Sequence, residues 1–205
     1  MSAEVLNAWR DPPTLSGEHV TLRPLAPSDL PAIVSAAAEG DLWDTFYAVV
    51  AQLRDANAWL AATLAQRDAG RAMPFTVLDA DGAIVGTTRF MRMSEPNRRL
   101  EVGGTFYARR VQRTGLNTQA KLLLLGHAFD TLGCQCVQIR TDWLNKRSQR
   151  AIERLGAKLD GILRGHQRMA DGRLRDTAVY SILDREWPGV RDNLRLLLAR
   201  GGSGA

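Results

Sequence analysis

Between a strand-like run ending near Tyr107 and a helix-like run from Gln119 to Leu125 the chain places Gln112-Arg113-Thr114-Gly115-Leu116-Asn117-Thr118. That junction restricts the fold more than any other stretch. A strand that passes through a short glycine-containing loop into a helix leaves the first four amides without intrahelical partners. Those donors, together with the positive end of the helix dipole, favour a phosphate. Gly115 fits such a cradle, because a residue without Cβ lets the backbone bend tightly and come close to an anion. A glycine opening a helix is also plain turn chemistry, so the segment alone leaves both readings open.

A second segment narrows them. Residues Cys134 to Arg140 alternate like a strand, and from Thr141 the chain runs through Asn145-Lys146-Arg147-Ser148 into a helical stretch that ends at Leu155-Gly156. The order strand, glycine loop, helix, strand, Asn-x-x-Ser, helix ending Leu-Gly resembles the acyl-CoA-binding half of the GNAT superfamily of N-acetyltransferases. Its match is closest to the ribosomal-protein-alanine N-acetyltransferase (RimJ/RimL-like) branch. The usual loop of that family is Arg or Gln, two residues, Gly, one residue, then Gly or Ala. Gln112 and Gly115 match, and Asn117 departs, standing a side chain where close backbone approach is normal. Asn tolerates left-handed backbone angles better than most residues, which lets such a loop persist. The resemblance covers roughly residues 19 to 184, with its specific motifs between 99 and 157.

The coarse pattern agrees. His19 to Pro24 alternates into a first strand, Asp29 to Ala38 reads as a helix after a Ser28 cap, and Asn57 to Arg67 is amphipathic. Met73–Leu78 and Ile84–Met93 flank the turn signal Asp79-Ala80-Asp81-Gly82, and Arg99–Tyr107 gives a fourth strand. Lys158–Met169 and Leu174–Leu183 flank Asp171-Gly172, and Arg191–Arg200 closes with a helix. The expected fold is therefore mixed α/β (α+β) in the order βααβββαβαββ plus a C-terminal helix. The resemblance implies a GNAT-like seven-stranded sheet whose fourth and fifth strands splay apart. Gly103-Gly104 inside the fourth strand signals a bulge there.

The resemblance also implies the chemistry: transfer of an acetyl group from acetyl-CoA to a primary amine, a protein N-terminus or a small molecule, by direct attack in a ternary complex. The pantetheine arm would add to the free edge of the fourth strand, with the backbone amides near Phe106 and Tyr107 polarising the thioester carbonyl. Gln112, Arg113, Thr114, Gly115, Leu116, Asn117 and Thr118 would hold the pyrophosphate, Asn145 and Ser148 would meet the pantetheine and sulfur, and Arg150, or Arg147, would reach the adenosine phosphate. Glu101 would receive the amine proton, directly or through a water, and Ser148 would serve the departing thiolate. Two readings of Glu101 stay open, the second being a surface carboxylate paired with Arg99 or Arg89. Asn145 equally fits a simple helix cap, and Tyr107 and Tyr180 stand as substitutes for Ser148. A non-catalytic acyl-CoA-binding or sensing module, or a transferase of another acyl group such as succinyl, are the alternatives.

Composition enters where it excludes. With 205 residues, 45% apolar and 24% charged, and no linker or repeat, the chain fits one domain with its core at about 19–184, a terminal helix at about 191–200 and a loose tail at 201–205. The formal charge is +5, but all except three of the 27 basic residues are arginines spread along the chain, which reads as a solvated surface rather than a nucleic-acid site. Three scattered histidines and the alternate Cys134 and Cys136 give no metal spacing and read as buried thiols. The start, Met1 to Val5, lacks basic and apolar leader regions and no run suits a bilayer, so a cytoplasmic protein without membrane contact is expected. Trp9 and the Leu194 to Leu198 run suggest apolar surface needing cover, hence a homodimer. A terminal α-amine (pKa ~7.8) costs about 1 kcal/mol to deprotonate at neutral pH and a lysine (pKa ~10.4) about 4.6 kcal/mol. With no histidine in the cleft segments to act as a strong base, an α-amine acceptor is favoured. Glu39, Asp41 and Asp44 are the acidic exception on an otherwise basic chain.

Overall fold

The computed structural model describes residues 8–39, 53–169 and 171–201. The start, Met1 to Val5, Asp41, Asp44 and the tail after Gly201 lie outside them. Among the described residues eight strands form one sheet in the order β1-β2-β3-β4-β5-β6-β8-β7: β1 (Leu15–Ser16), β2 (Thr21–Pro24), β3 (Ala72–Leu78), β4 (Ile84–Ser94), β5 (Arg99–Tyr107), β6 (Cys136–Asp142), β7 (Lys158–Arg168) and β8 (Leu174–Leu183). The count exceeds the expected seven because the two residues of β1 pair onto β2, a piece too short to carry an alternation signal. Helices α1 (Leu30–Ala38), α2 (Ala56–Asp68), α3 (Gly115–Gly126), α4 (Lys146–Glu153) and α5 (Trp187–Ala199) complete it.

Local chemistry explains most boundaries. At the β3–β4 turn Asp79 Oδ1 accepts from the amides of Asp81 and Ala83 at 3.2 and 2.9 Å, and Gly82 takes φ +80°, open to a residue without Cβ. Asp55 caps α2 by accepting from the Ala58 amide at 3.0 Å. Ser28 is no cap. It lies in a single 3-10 turn, Pro27–Asp29, and the helix begins one residue later. Helix α5 starts a turn before the expected Arg191 because Pro188, at the second helical position, needs no amide partner there.

The core lies on both faces of β3 and β4. Phe75, Val77, Val85 and Phe90 are fully buried, and Phe75 meets Phe90 edge-on at 5.7 Å between ring centroids. Trp9 and Leu194 belong to this core, 5% and 0% exposed, whereas Leu196 of the same run is 49% exposed. Cys134 is buried as expected, while Cys136 is only half-buried; both are free thiols. No helix among the described residues is long and apolar enough to cross a membrane.

Candidate active site

All neighbouring strands run antiparallel except β5 and β6, whose parallel pairing lasts for only three residue pairs: Arg99 with Cys136, Leu100 with Val137 and Glu101 with Gln138. Beyond Glu101 the strands part. The fork opens into a cleft of about 620 Å³ with Glu101 at its apex and both halves of the sheet as walls. The glycine pair acts as expected. Between the pairs Thr87–Phe106 and Arg89–Gly103, β4 spends one residue and β5 two, a bulge in which Gly104 adopts φ +57°.

The free edge of β5 is set by alternation. The Ala108 amide donates to Val85 O at 2.7 Å. Period-two geometry then turns the Phe106 amide towards β4 and the Tyr107 amide towards the open fork. Of the two amides expected to polarise a thioester, only that of Tyr107 is so placed. The Tyr107 carbonyl accepts from Gln112 Nε2 at 2.9 Å, while Gln112 Oε1 accepts from Arg147 at 2.6 Å, so one side chain ties the end of β5 to the start of α4.

At the mouth, Thr114 caps α3 by accepting from the Leu116 amide at 3.2 Å. The left-handed residue of this loop is Arg113, φ +62°, not Gly115. Gly115 has a different reason for being glycine: a Cβ there would lie 2.9 Å from the His19 ring. Gln112, Arg113 and Asn117 line the cleft, as do Phe106, Tyr107, Asn145 and Ser148. Thr114 and Gly115 stand at its rim without lining it, and Leu116 and Thr118 point into the interior, Thr118 accepting from Arg154 at 3.5 Å. Arg150 is exposed on the outer side of α4, and Arg147 occupies the cleft side instead. Asn145 is a cap, its Oδ1 accepting from the Ser148 amide at 3.0 Å, and it also faces the cleft, so both readings of that residue hold geometrically.

Glu101 is 5% exposed, which removes the surface-carboxylate reading; its close ion pairs among the described residues are with Arg92 and Arg140, and Arg89 acts on it through its charge alone. Arg92 Nε lies 3.0 Å and Arg140 Nε 3.3 Å from its Oε2. Burial pushes the Glu101 carboxyl up, and the guanidiniums of Arg140, Arg92, Arg175 and Arg89 pull back without cancelling the rise. Arg92 reaches it from a left-handed backbone, φ +51°, at the second irregularity of the β4–β5 ladder, where the register shifts between Met91 and Ser94.

Several cleft residues escaped the sequence reading. His166 on β7 borders the cleft, contrary to the expectation of no histidine there; its Nδ1 lies 3.0 Å from Thr177 Oγ1. Desolvation, then Arg140, Arg92 and Arg175, hold its pKa down, so it is neutral at pH 7. Lys121 of α3 is buried beneath the bulge, donating to Thr105 Oγ1 at 3.3 Å, and burial pulls its pKa down to about 8. Burial raises the Tyr107 hydroxyl's pKa, whereas Tyr180 does not line the cleft; its hydroxyl donates to Glu153 at 2.9 Å and its pKa is pushed up to about 12. No group of three or more metal-ligating side chains exists among the described residues.

A deep fork, a helix N-terminus at its mouth and a buried carboxylate at its apex can hold an extended anionic cosubstrate and activate a nucleophile beside it. Comparison with known proteins points the same way. A stretch of 111 residues is 30% identical to a Bacillus subtilis protein named "Putative ribosomal N-acetyltransferase YdaF", spanning 54% of this chain and 60% of that protein's length. A GCN5-related N-acetyltransferase from Brucella melitensis superposes with a TM-score of 0.81 at 27% identity, over 92% of this chain and 86% of that one. Mycobacterium smegmatis RimJ, at 22% identity, shares the fold with a TM-score of 0.70 over 94% and 96% of the two chains. Since the model of the acetyltransferase (GNAT) domain matches residues 19–158, well over half of the sequence, this chain belongs to the GNAT acetyltransferase family.

Proposed function

We propose that the protein is an acetyl-CoA-dependent N-acetyltransferase acting on a primary amine, by direct attack within a ternary complex. The observation that carries the reading is the fork itself, because three residue pairs of β5–β6 pairing end at a buried Glu101 and leave a strand edge free. An extended pantetheine arm suits that edge, since it offers amide groups able to continue a strand ladder. The amides opening α3, with Arg113 and Arg147 close by, suit its pyrophosphate. RimJ of M. smegmatis is described as a complex with a CoA disulfide, which supports the same class of ligand here.

In this reading the Tyr107 amide donates to the thioester oxygen as charge gathers on it; such a donor contributes roughly 10²-fold or more to rate. Glu101, its affinity for a proton raised by burial, accepts the amine proton directly or through a water. His166, neutral and at the same cleft, is the second group able to do so. The amine attacks the carbonyl carbon, the carbon–sulfur bond breaks, and the thiolate leaves near the start of α4, where Ser148 can donate a hydrogen bond to it. Asn145 holds that helix start. The name of the B. subtilis relative favours a ribosomal protein N-terminus as acceptor, and the low cost of deprotonating an α-amine agrees.

Two measurements test this. Millimolar acetyl-CoA and CoA should raise the melting temperature, since a ligand at 100 times its Kd adds about 2.7 kcal/mol to the native state. Thiol release from acetyl-CoA should then depend on an added amine. No thermal shift with either ligand removes the assignment; a shift without amine-dependent thiol release favours the binding or sensing module instead.

A further inference from the structure

The register of the sheet gathers charges that are far apart in sequence. Glu101 stands opposite Gln138 and Met91, Gly103 opposite Arg89, and Asp142 opposite Thr177. Period-two alternation then puts Arg89, Glu101, Arg140 and Arg175 on one face of the sheet, all lining the inner cleft. Arg92 and His166 join them from the rim and Lys121 from below. Among the described residues that line the cleft only Glu101 and Asp142 oppose this charge, and Asp142 is already committed to Arg173 at 2.8 Å. Arg175 Nε is 3.9 Å from the same oxygen, too long for a hydrogen bond, and Arg89 reaches only the Thr63 hydroxyl, at 3.3 Å.

Half-buried guanidiniums so short of acceptors are costly unless something completes them. The Nε atoms of Arg89 and Arg175 are buried without a hydrogen-bond partner, whereas Arg140 lies 3.3 Å from Glu101 Oε2 through Nε without aligning on it and donates to Gln138 at 3.0 Å. Burial accordingly lowers the pKa of both Arg89 and Arg175 despite the carboxylates nearby. A guanidinium is a planar fork matched to a carboxylate, so what is missing is a carboxylate-sized anion. The same cations discourage a second positive charge in the cleft: they oppose polyamines and favour the neutral, nucleophilic form of a bound amine.

We infer that the inner cleft recognises a carboxylate on the substrate, seated among Arg89, Arg140 and Arg175, and carried either by the amine acceptor or by the distal end of the transferred acyl chain. This rests on the acyltransferase reading and narrows its substrate class to acidic acceptors or ω-carboxyacyl donors. The anion lies beyond the reacting carbon, where it orients the substrate without taking part in bond making.

The test uses the full chain and direct binding. In one arm the protein is saturated with CoA, and the melting temperature is followed with millimolar 4-aminobutyrate and succinate against 4-aminobutyramide and succinamide. In the other, titration calorimetry compares succinyl-CoA with acetyl-CoA. The expected result is a shift of several degrees with the carboxylates and none with the amides, or at least tenfold tighter binding of succinyl-CoA. The responding arm identifies the source of the carboxylate. In Arg175→Gln and Arg89→Gln that preference should vanish while acetyl-CoA affinity stays within about threefold. If neither acid is preferred over its neutral counterpart while acetyl-CoA still binds, the inference is overturned and the acyltransferase reading survives. If CoA and its thioesters do not bind at all, both fall together.

Discussion

Of the three carboxylates buried beside arginines among the described residues, Asp29 and Glu101 are treated in opposite ways. Asp29, at the corner between β2 and α1, accepts from Arg23 through both oxygens at 2.6 and 2.7 Å, from the Ala26 amide at 3.0 Å and from Thr76 at 2.6 Å. Burial alone would raise its pKa, but those bonds outweigh it and hold the carboxyl low. Glu101 has more arginines around it, yet Arg92 and Arg140 approach one oxygen, Oε2, without well-aligned hydrogen bonds, and its pKa stays raised. Charge nearby is weaker than charge that is hydrogen-bonded. The first carboxylate is finished by its surroundings, whereas the second is left able to take a proton.

The sharpest challenge to that contrast is Glu101→Gln. Catalytic efficiency, kcat/KM, should fall by about 10²-fold at neutral pH, about 2.7 kcal/mol of transition-state stabilisation, with a smaller loss at high pH where the acceptor amine is already neutral. A loss uniform across pH would make Glu101 a positioning group instead. The stability effect should have the opposite sign to the usual one. A carboxyl whose folded pKa is raised stabilises below its unfolded value and loses that contribution as pH rises through the folded one. At neutral pH the variant should therefore melt no lower than the parent.

Asp29→Asn should do the reverse, leaving kcat/KM within about threefold while costing about 2 kcal/mol, roughly 4–8 °C in melting temperature. Because the folded pKa of Asp29 is depressed, its contribution is present above the unfolded carboxylate pKa near ~4 and disappears as pH falls through the folded value. Melting curves in acid should show the deficit shrinking; a constant deficit would mean that shape rather than charge holds this corner. Asn145→Ala should cost about 1 kcal/mol by uncapping α4 and also raise the KM for acetyl-CoA, separating it from an ordinary cap, which would change stability alone. Least of all should follow from Lys158→Met: its pair with Glu186 at 2.5 Å is exposed on the lysine side, and the melting temperature should move by less than about 2 °C.

The Asn145 cap and the Asp79 turn were readable because their chemistry is local, each satisfying amides within four residues, so residue type and spacing suffice. Thr114 and Asp55 cap their helices in the same local way without having been read as caps. Gly103-Gly104 announced its bulge for the same reason. Ser28 misled because Asp29, one residue on, was drawn to Arg23 and Thr76, and only the second of these contacts bridges distant strands. At Gly115 the close neighbour is the His19 ring, which no local pattern reveals.

By itself the sequence determined the order of elements from β2 onward and the helix opening at Gly115, because periodicity and capping act over a few residues. The tertiary structure decided which arginines matter. Arg89, Arg92, Arg140 and Arg175 read as scattered surface charge along the chain, and His166 as remote from the cleft, until strand register placed them around Glu101. A one-residue shift in any of those pairings would turn the side chains to the other face. That register is set by cooperative pairing and core packing across the whole sheet, which no single segment encodes.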